Sequence, residues 1–180
     1  MTQRRRNAEN RCMPFPDSFT TARLVAERLT RDHFDEVLRM HRDPEVMASL
    51  GGIRDEQQTE TYFVKNLKHW DEYGFGLWIV RQRREDEIAG RAVLRHLIVD
   101  GVDEIEVGYA FYAAYWGRGL ATELAIACVA FGKNELGWST IVGVTSPTNF
   151  KSQRVLQKAG LAYEREFMHE GHVASLFRTT

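Results

Sequence analysis

The residues with the clearest chemical potential are Trp116-Gly117-Arg118-Gly119-Leu120-Ala121, at the point where a strand rich in Tyr and Phe stops and a long apolar helix begins. Two glycines one residue apart let the backbone turn sharply and bring successive N–H groups together with no side chain in the way. With the chain helical from Leu120, the same N–H groups are the unpaired donors of a first helical turn, with the positive end of the dipole behind them. Such a seat suits an anion, and a pyrophosphate would fit it. A plain strand-to-helix turn would use the same residues, and Gly-x-Gly alone does not separate the two. A second candidate is Glu106, the one carboxylate on a strand face that otherwise carries Gly108, Ala110 and Tyr112. A third is the pair Asn149 and Ser152, which opens a short helix beside the same crevice.

Regular elements must position these groups. Residues 1 to about 18 are polar and basic, are broken by Pro14 and Pro16, and read as a loose, disordered tail ahead of a single domain over 19–180. Alternation from Ala22 to Arg28 suits a first strand. Thr30-Arg31-Asp32 caps a helix with Phe34, Val37, Leu38 and His41 on one face, ending near Asp43-Pro44. A second helix spans about Asp55 to Asp71, with Tyr62, Phe63, Leu67 and Trp70 as its buried stripe. Strands at 75–80 and 88–98 form a hairpin across the charged stretch 81–87. After Asp100-Gly101 the run 105–112 alternates: Ile105, Val107, Tyr109 and Phe111 on one face, Glu106, Gly108, Ala110 and Tyr112 on the other.

The helix opened by the glycine turn runs to about Glu135 and leads past Gly137 into an apolar strand, 140–145. Strands joined by a long helix lie parallel, so 105–112 and 140–145 bracket the glycine turn. Ligands in such sheets bind at the carboxyl ends of strands, beside a helix N-terminus. A helix from Asn149 to Ala159 and two closing strands around Glu170-Gly171 complete the chain.

Composition narrows the partners. The 180 residues allow one core, and 24 Lys and Arg against 25 Asp and Glu leave a net charge of −1, so no global field draws nucleic acid or anionic membrane. Cys12 and Cys128 offer no disulfide framework and fit a reducing compartment, the cytoplasm. The basic start has no apolar segment behind it and reads as neither signal peptide nor anchor.

Together these motifs resemble the GNAT superfamily of acyl-CoA N-acyltransferases, particularly the branch with the ribosomal-protein alanine N-acetyltransferases RimJ and RimL. The likeness covers about residues 20–178. Its most specific element is similar to that family's Gln/Arg-x-x-Gly-x-Gly/Ala loop, with Trp116 in place of the first Gln or Arg. Asn149-x-x-Ser152-x-x-Val155-Leu156-x-Lys158-x-Gly160-Leu161 resembles the branch's Asn-x-x-Ser helix, and 21–50 its first strand and helix.

The resemblance implies an α/β (α+β) fold: a mixed, mostly antiparallel sheet of six to seven strands, with a splayed parallel pair and about four flanking helices. It implies acetyl-CoA as co-substrate and no metal. Its diphosphate would lie on residues 116–121, and its pantetheine would pair with the backbone of Val107, Gly108, Tyr109 and Phe111. The acceptor is an amine, either a protein N-terminus or a small molecule. Nucleic acid and membrane are not expected, and a homodimer is allowed.

An amine attacking a thioester must lose a proton, and the departing thiolate gains one. Glu106 is the candidate base, acting directly or through a water; the same residue would serve as a salt-bridged strand carboxylate. Backbone N–H groups near Gly108 and Tyr109 would meet the oxyanion. Asn149 is a ligand for pantetheine or a helix cap, and Ser152 a donor toward the thiolate. Many relatives place an acidic tyrosine seven residues after that asparagine, where this chain has Leu156. His169-x-x-His172 lacks further ligands for zinc, Cys128 lies in an apolar helix, and Tyr62, Phe63, Trp70 and Trp78 read as core.

Overall fold

The computed structural model describes residues 16–180. Its first segments are β1 (Ser18–Thr20) and β2 (Leu24–Arg28), paired antiparallel. Thr30 turns the chain into a short 3-10 helix, Arg31–His33, and on into α1 (Phe34–Arg42). Asp43 then caps α2 (Pro44–Met47), its carboxylate accepting from the N–H groups of Glu45 and Val46 at 2.9 and 3.2 Å. Pro44 suits the first helical position because no N–H is needed there. α3 (Glu56–Tyr73) begins at a capping box, Asp55 with Gln58, and ends where Gly74 takes φ +75°.

α3 buries Thr59, Phe63, Asn66 and Trp70. The stripe expected from the sequence therefore rotates: Tyr62 and Leu67 are half-buried, and two polar residues take core-facing positions. Each polar member has a partner. Asn66 donates to the Tyr62 carbonyl at 2.8 Å, and Thr59 meets the ring of His41 at 3.0 Å.

The remaining elements are β3 (Leu77–Gln82), β4 (Ile88–Val99), β5 (Val102–Phe111), α4 (Leu120–Asn134), β6 (Val142–Thr145), α5 (Phe150–Lys158), β7 (Leu161–His169) and β8 (His172–Thr179). One sheet contains all the strands in the order β1-β2-β3-β4-β5-β6-β8-β7, antiparallel except for β5 with β6. Among the described residues, eight strands replace the six to seven expected. The added one is β1, whose three residues are too few to show a period and follow a polar stretch. Ser18, read as tail, belongs to it; the rest of the expected tail, apart from 16 and 17, lies outside the described residues, as does Cys12. The expected count of about four helices becomes five because of the single-turn α2.

The main core lines both faces of the sheet, with successive residues of β3 and β4 buried, and on α4 Leu124, Ala125 and Cys128 are fully buried. Trp78 on β3 is also wholly buried, edge-on to Phe19, Trp70 and Phe131 at centroid distances of 5.5, 5.2 and 5.8 Å. Burying such side chains stabilises the domain by roughly 1.5–3 kcal/mol each. This packing fixes α4, and with it the glycine turn at its head.

The parallel pair is the point where the sheet opens. Its register consists of Glu106 against Val142 alone. From Val107 to Phe111, β5 remains paired with β4 on its other side, so the edge turned toward β6 has no strand partner. An extended ligand can add itself to such an edge by main-chain hydrogen bonds.

Candidate active site

The glycine turn has the expected geometry. Gly117 and Gly119 take φ +73° and +76°, the left-handed region that L side chains rarely adopt. A Cβ at Gly117 would meet nothing, so backbone conformation and not crowding calls for glycine there. Among the described residues, no main-chain N–H from 117 to 122 donates to another protein group; the ladder of α4 begins with Glu123 N–H to the Gly119 carbonyl at 3.0 Å. Residues 116–119 are exposed, Leu120 is buried, and Ala121 is half-buried.

What holds the turn comes from far away in sequence. Arg23, at the start of β2, donates from Nη1 to the Arg118 carbonyl at 2.8 Å and from Nε to Glu123 at 2.6 Å. Glu123 also accepts from Arg23 N–H and the Thr21 hydroxyl. Burial would raise the Glu123 carboxyl, but these bonds from Thr21 and Arg23 bring it below its ordinary range. By holding the carbonyl side of the turn, Arg23 leaves the amide side facing outward. Trp116, in place of the family's Gln or Arg, braces the loop by donating from Nε1 to the Phe111 carbonyl at 2.8 Å. Two exposed cations border it: Lys151 Nζ lies 5.3 Å from the Trp116 ring, and the Arg118 guanidinium 5.6 Å from that of Tyr115.

At the open edge, the Tyr109 hydroxyl spans from β5 to α5. It donates to the Ser152 carbonyl at 3.1 Å and lies 3.0 Å from Ser152 Oγ. Burial pushes the phenol up to about 12, so it stays protonated at neutral pH. Asn149 caps α5, its Oδ1 accepting from Ser152 N–H at 3.1 Å. Leu156 is fully buried, and a Cβ at Gly143 would come within 2.5 Å of its Cδ2. The position where relatives place a tyrosine is therefore a packed core position here. Strand alternation gives Tyr109 a backbone role alone, because a side-chain contact to α5 has no signature in spacing.

On the opposite face of β5, Glu106 is buried with its Oε2 2.6 Å from Arg95 Nε on β4. The two residues stand directly opposite each other in the ladder. The carboxylate raises the Arg95 guanidinium above its ordinary value. Oε1 has no protein partner among the described residues. Beside them Val93 covers Gly108, where an added Cβ would come 2.9 Å from Val93 Cγ1. Among the described residues no group of three or more His, Cys, Asp or Glu could hold a metal, and His169 and His172 simply pair across a hairpin. Cys128 is buried in α4, its thiol pushed up to about 12 by burial.

A parallel pair that parts beside a helix N-terminus with open amides offers a cleft for an extended, phosphate-bearing ligand. Comparison with known proteins gives the family. The model of the acetyltransferase (GNAT) domain matches residues 23–162, and the chain belongs to that family. It is similar to YkkB of Bacillus subtilis strain 168, 32% identical over 123 residues that make up 68% of this chain and 72% of YkkB. Among solved structures, an acetyltransferase of Agrobacterium tumefaciens C58 matches with a TM-score of 0.81 and 25% identity, over 96% of this chain and 98% of that one. RimL, a ribosomal L7/L12 α-N-protein acetyltransferase in complex with coenzyme A, shares the fold with a TM-score of 0.72 and 14% identity, over 91% and 96% of the two chains. This protein is an N-acetyltransferase of the GNAT class. No helix among the described residues is long and apolar enough to cross a membrane.

Proposed function

We propose that this enzyme moves the acetyl group of acetyl-CoA directly to a primary amine while both are bound. The observation that carries the reading is the run of unpartnered amides at residues 117–122, continuous with the free edge of β5. The diphosphate would rest on Gly117, Arg118, Gly119, Leu120 and Ala121 with Trp116 beside it. Pantetheine would pair with Val107 to Phe111, and Asn149 would offer its amide N–H groups while its oxygen caps α5. Holding thioester and amine in contact accounts for most of the acceleration.

Charge is handled on both faces of β5. Glu106, kept in place by Arg95, takes the amine proton at Oε1, directly or through one water. The amides near Gly108 and Tyr109 meet the oxyanion. Tyr109 and Ser152, already hydrogen-bonded to each other, return a proton to the departing thiolate. A thiol of ordinary pKa, about 8.5, needs only a weak acid. The acceptor is a protein N-terminal amine, as in the RimJ and RimL branch, or a small-molecule amine. Two cysteines and a near-neutral charge fit work in the cytoplasm.

Release of free thiol from acetyl-CoA, measured with a panel of amines and N-terminal peptides, tests the reading. Amine-dependent release with stoichiometric acetylated product is expected. Tight CoA binding with no turnover across the panel would overturn it in favour of a non-catalytic CoA-binding module, the reading that Leu156 in place of the tyrosine favours.

A further inference from the structure

The face of the sheet that bears Glu106 also bears a cluster of cations that the transfer chemistry does not use. Alternate residues of β4 share this face, and the ladder sets Arg95 opposite Glu106, Val93 opposite Gly108 and Arg91 opposite Ala110. Arg91 is thus two residues, about 7 Å, along the strand from the Val93 and Gly108 position beside the reacting centre. Above it lies Tyr62 of α3. The Arg91 guanidinium sits 5.0 Å from the Tyr62 ring and donates from Nη1 to its hydroxyl. Arg54, on the segment between α2 and α3, stands 5.1 Å from the same ring.

Neither arginine is ion-paired among the described residues, although the charge of Glu170 reaches Arg54. Arg91 is only 9% exposed, and its Nε–H has no partner among the described residues. Arg54 donates to the Leu50 carbonyl and to His41 Nε2, both at 3.4 Å. Because a guanidinium only donates, His41 must accept at Nε2 and carry its proton on Nδ1, which donates to the Thr59 hydroxyl at 3.0 Å. His41 is therefore neutral, and its pKa falls to about 3 through burial and the charges of Arg91 and Arg54. Nearby carboxylates do not balance the site: Glu106 is taken by Arg95, and Glu170 is exposed at the tip of the β7–β8 turn. A buried cation without a counter-charge is costly, because it has lost its hydration with nothing in return.

We propose that the acceptor carries an anionic group close to its amine, a carboxylate or phosphate, received by Arg91 Nε–H, the Arg54 guanidinium and the Tyr62 hydroxyl. The proposal rests on the acetyl transfer described above and specifies its substrate class. Bidentate or forked donation from arginine matches either anion, and the cost of an unpaired buried guanidinium is relieved only when such a substrate enters. Uncharged amines would leave Arg91 unpaired, which lowers their transfer.

The test uses matched acceptors with the full chain and acetyl-CoA: L-phenylalanine against its amide, phosphoethanolamine against ethanolamine, and a peptide with Asp at its second position against one with Asn. The expected result is a kcat/KM at least tenfold higher for the anionic member of one or more pairs, with the responding pair identifying carboxylate or phosphate. Arg91→Met should bring that ratio close to one, and Arg54→Gln, at a half-exposed position, should reduce it; circular dichroism melts establish that both fold. Equal or faster transfer to the uncharged member in every pair overturns the proposal and leaves acetyl transfer standing. If no acceptor turns over, calorimetry on the CoA-loaded protein decides: binding of N-acetyl-L-phenylalanine in preference to its amide supports the proposal, and no preference overturns it.

Discussion

The glycine turn and the arginine cluster both carry positive charge, but they are built in opposite ways. The turn is made of six consecutive residues whose donors are main-chain amides, exposed and oriented by two left-handed glycines and a helix dipole. The cluster draws Arg91, Arg54, Tyr62 and His41 from four separate segments, and its charge is carried by side chains, one of them nine-tenths buried. A backbone seat binds the invariant part of a common co-substrate and cannot be altered by a single side chain except through its glycines. A side-chain cluster can change with one substitution, which suits the part of the reaction in which related enzymes differ.

Glu106→Gln tests the chemistry that joins the two regions and should have the largest effect. Loss of a general base costs about 100-fold in turnover, with CoA affinity little changed. Steady-state rates beside calorimetric titration with CoA would measure both, and unaltered turnover would remove Glu106 from the mechanism. Next comes Gly119→Val, which attacks the seat alone. A β-branched residue at φ +76° is strained by roughly 1–2 kcal/mol, so CoA binding should weaken about tenfold while the fold survives. Unchanged affinity by calorimetry would mean that the diphosphate sits elsewhere.

The smallest effect concerns the cluster and appears as pH dependence of stability. His41 titrates near 6.5 when unfolded and about 3 in the fold, so the unfolded chain binds the extra proton across that window. Its contribution is complete above 6.5 and is lost as the pH falls toward 3, about 1 kcal/mol over the first pH unit below 6.5. His41→Gln should flatten that part of the profile in urea melts at successive pH values. An unchanged profile would show that the imidazole is not held neutral among cations.

The seat was legible because every step of its argument is local: Gly117 and Gly119 set the turn, and the apolar run after Leu120 sets the helix. Asn149 as a cap and the turns at Asp100-Gly101 and Glu170-Gly171 were readable for the same reason. The clamp by Arg23 was not, since its partners Arg118 and Glu123 lie about a hundred residues away. Nor was the role of Leu156, which the missing side chain of Gly143 turns into a core residue. Tyr62 was read as core because its spacing with Phe63 and Trp70 suits a buried stripe. The fold turns that stripe toward Thr59 and Asn66 and leaves the Tyr62 ring against two guanidinium groups.

By itself the sequence determined the order of the longer strands and helices, the opening turn of α4 and the carboxylate on the small-residue face of β5, since each depends on neighbours within a few positions. Tertiary structure alone decided that Arg95 holds Glu106, that Tyr109 reaches Ser152, and that Arg91 and Arg54 meet over one ring. Those contacts arise from strand register and helix packing, which bring together side chains whose separation along the chain records nothing of their distance in space.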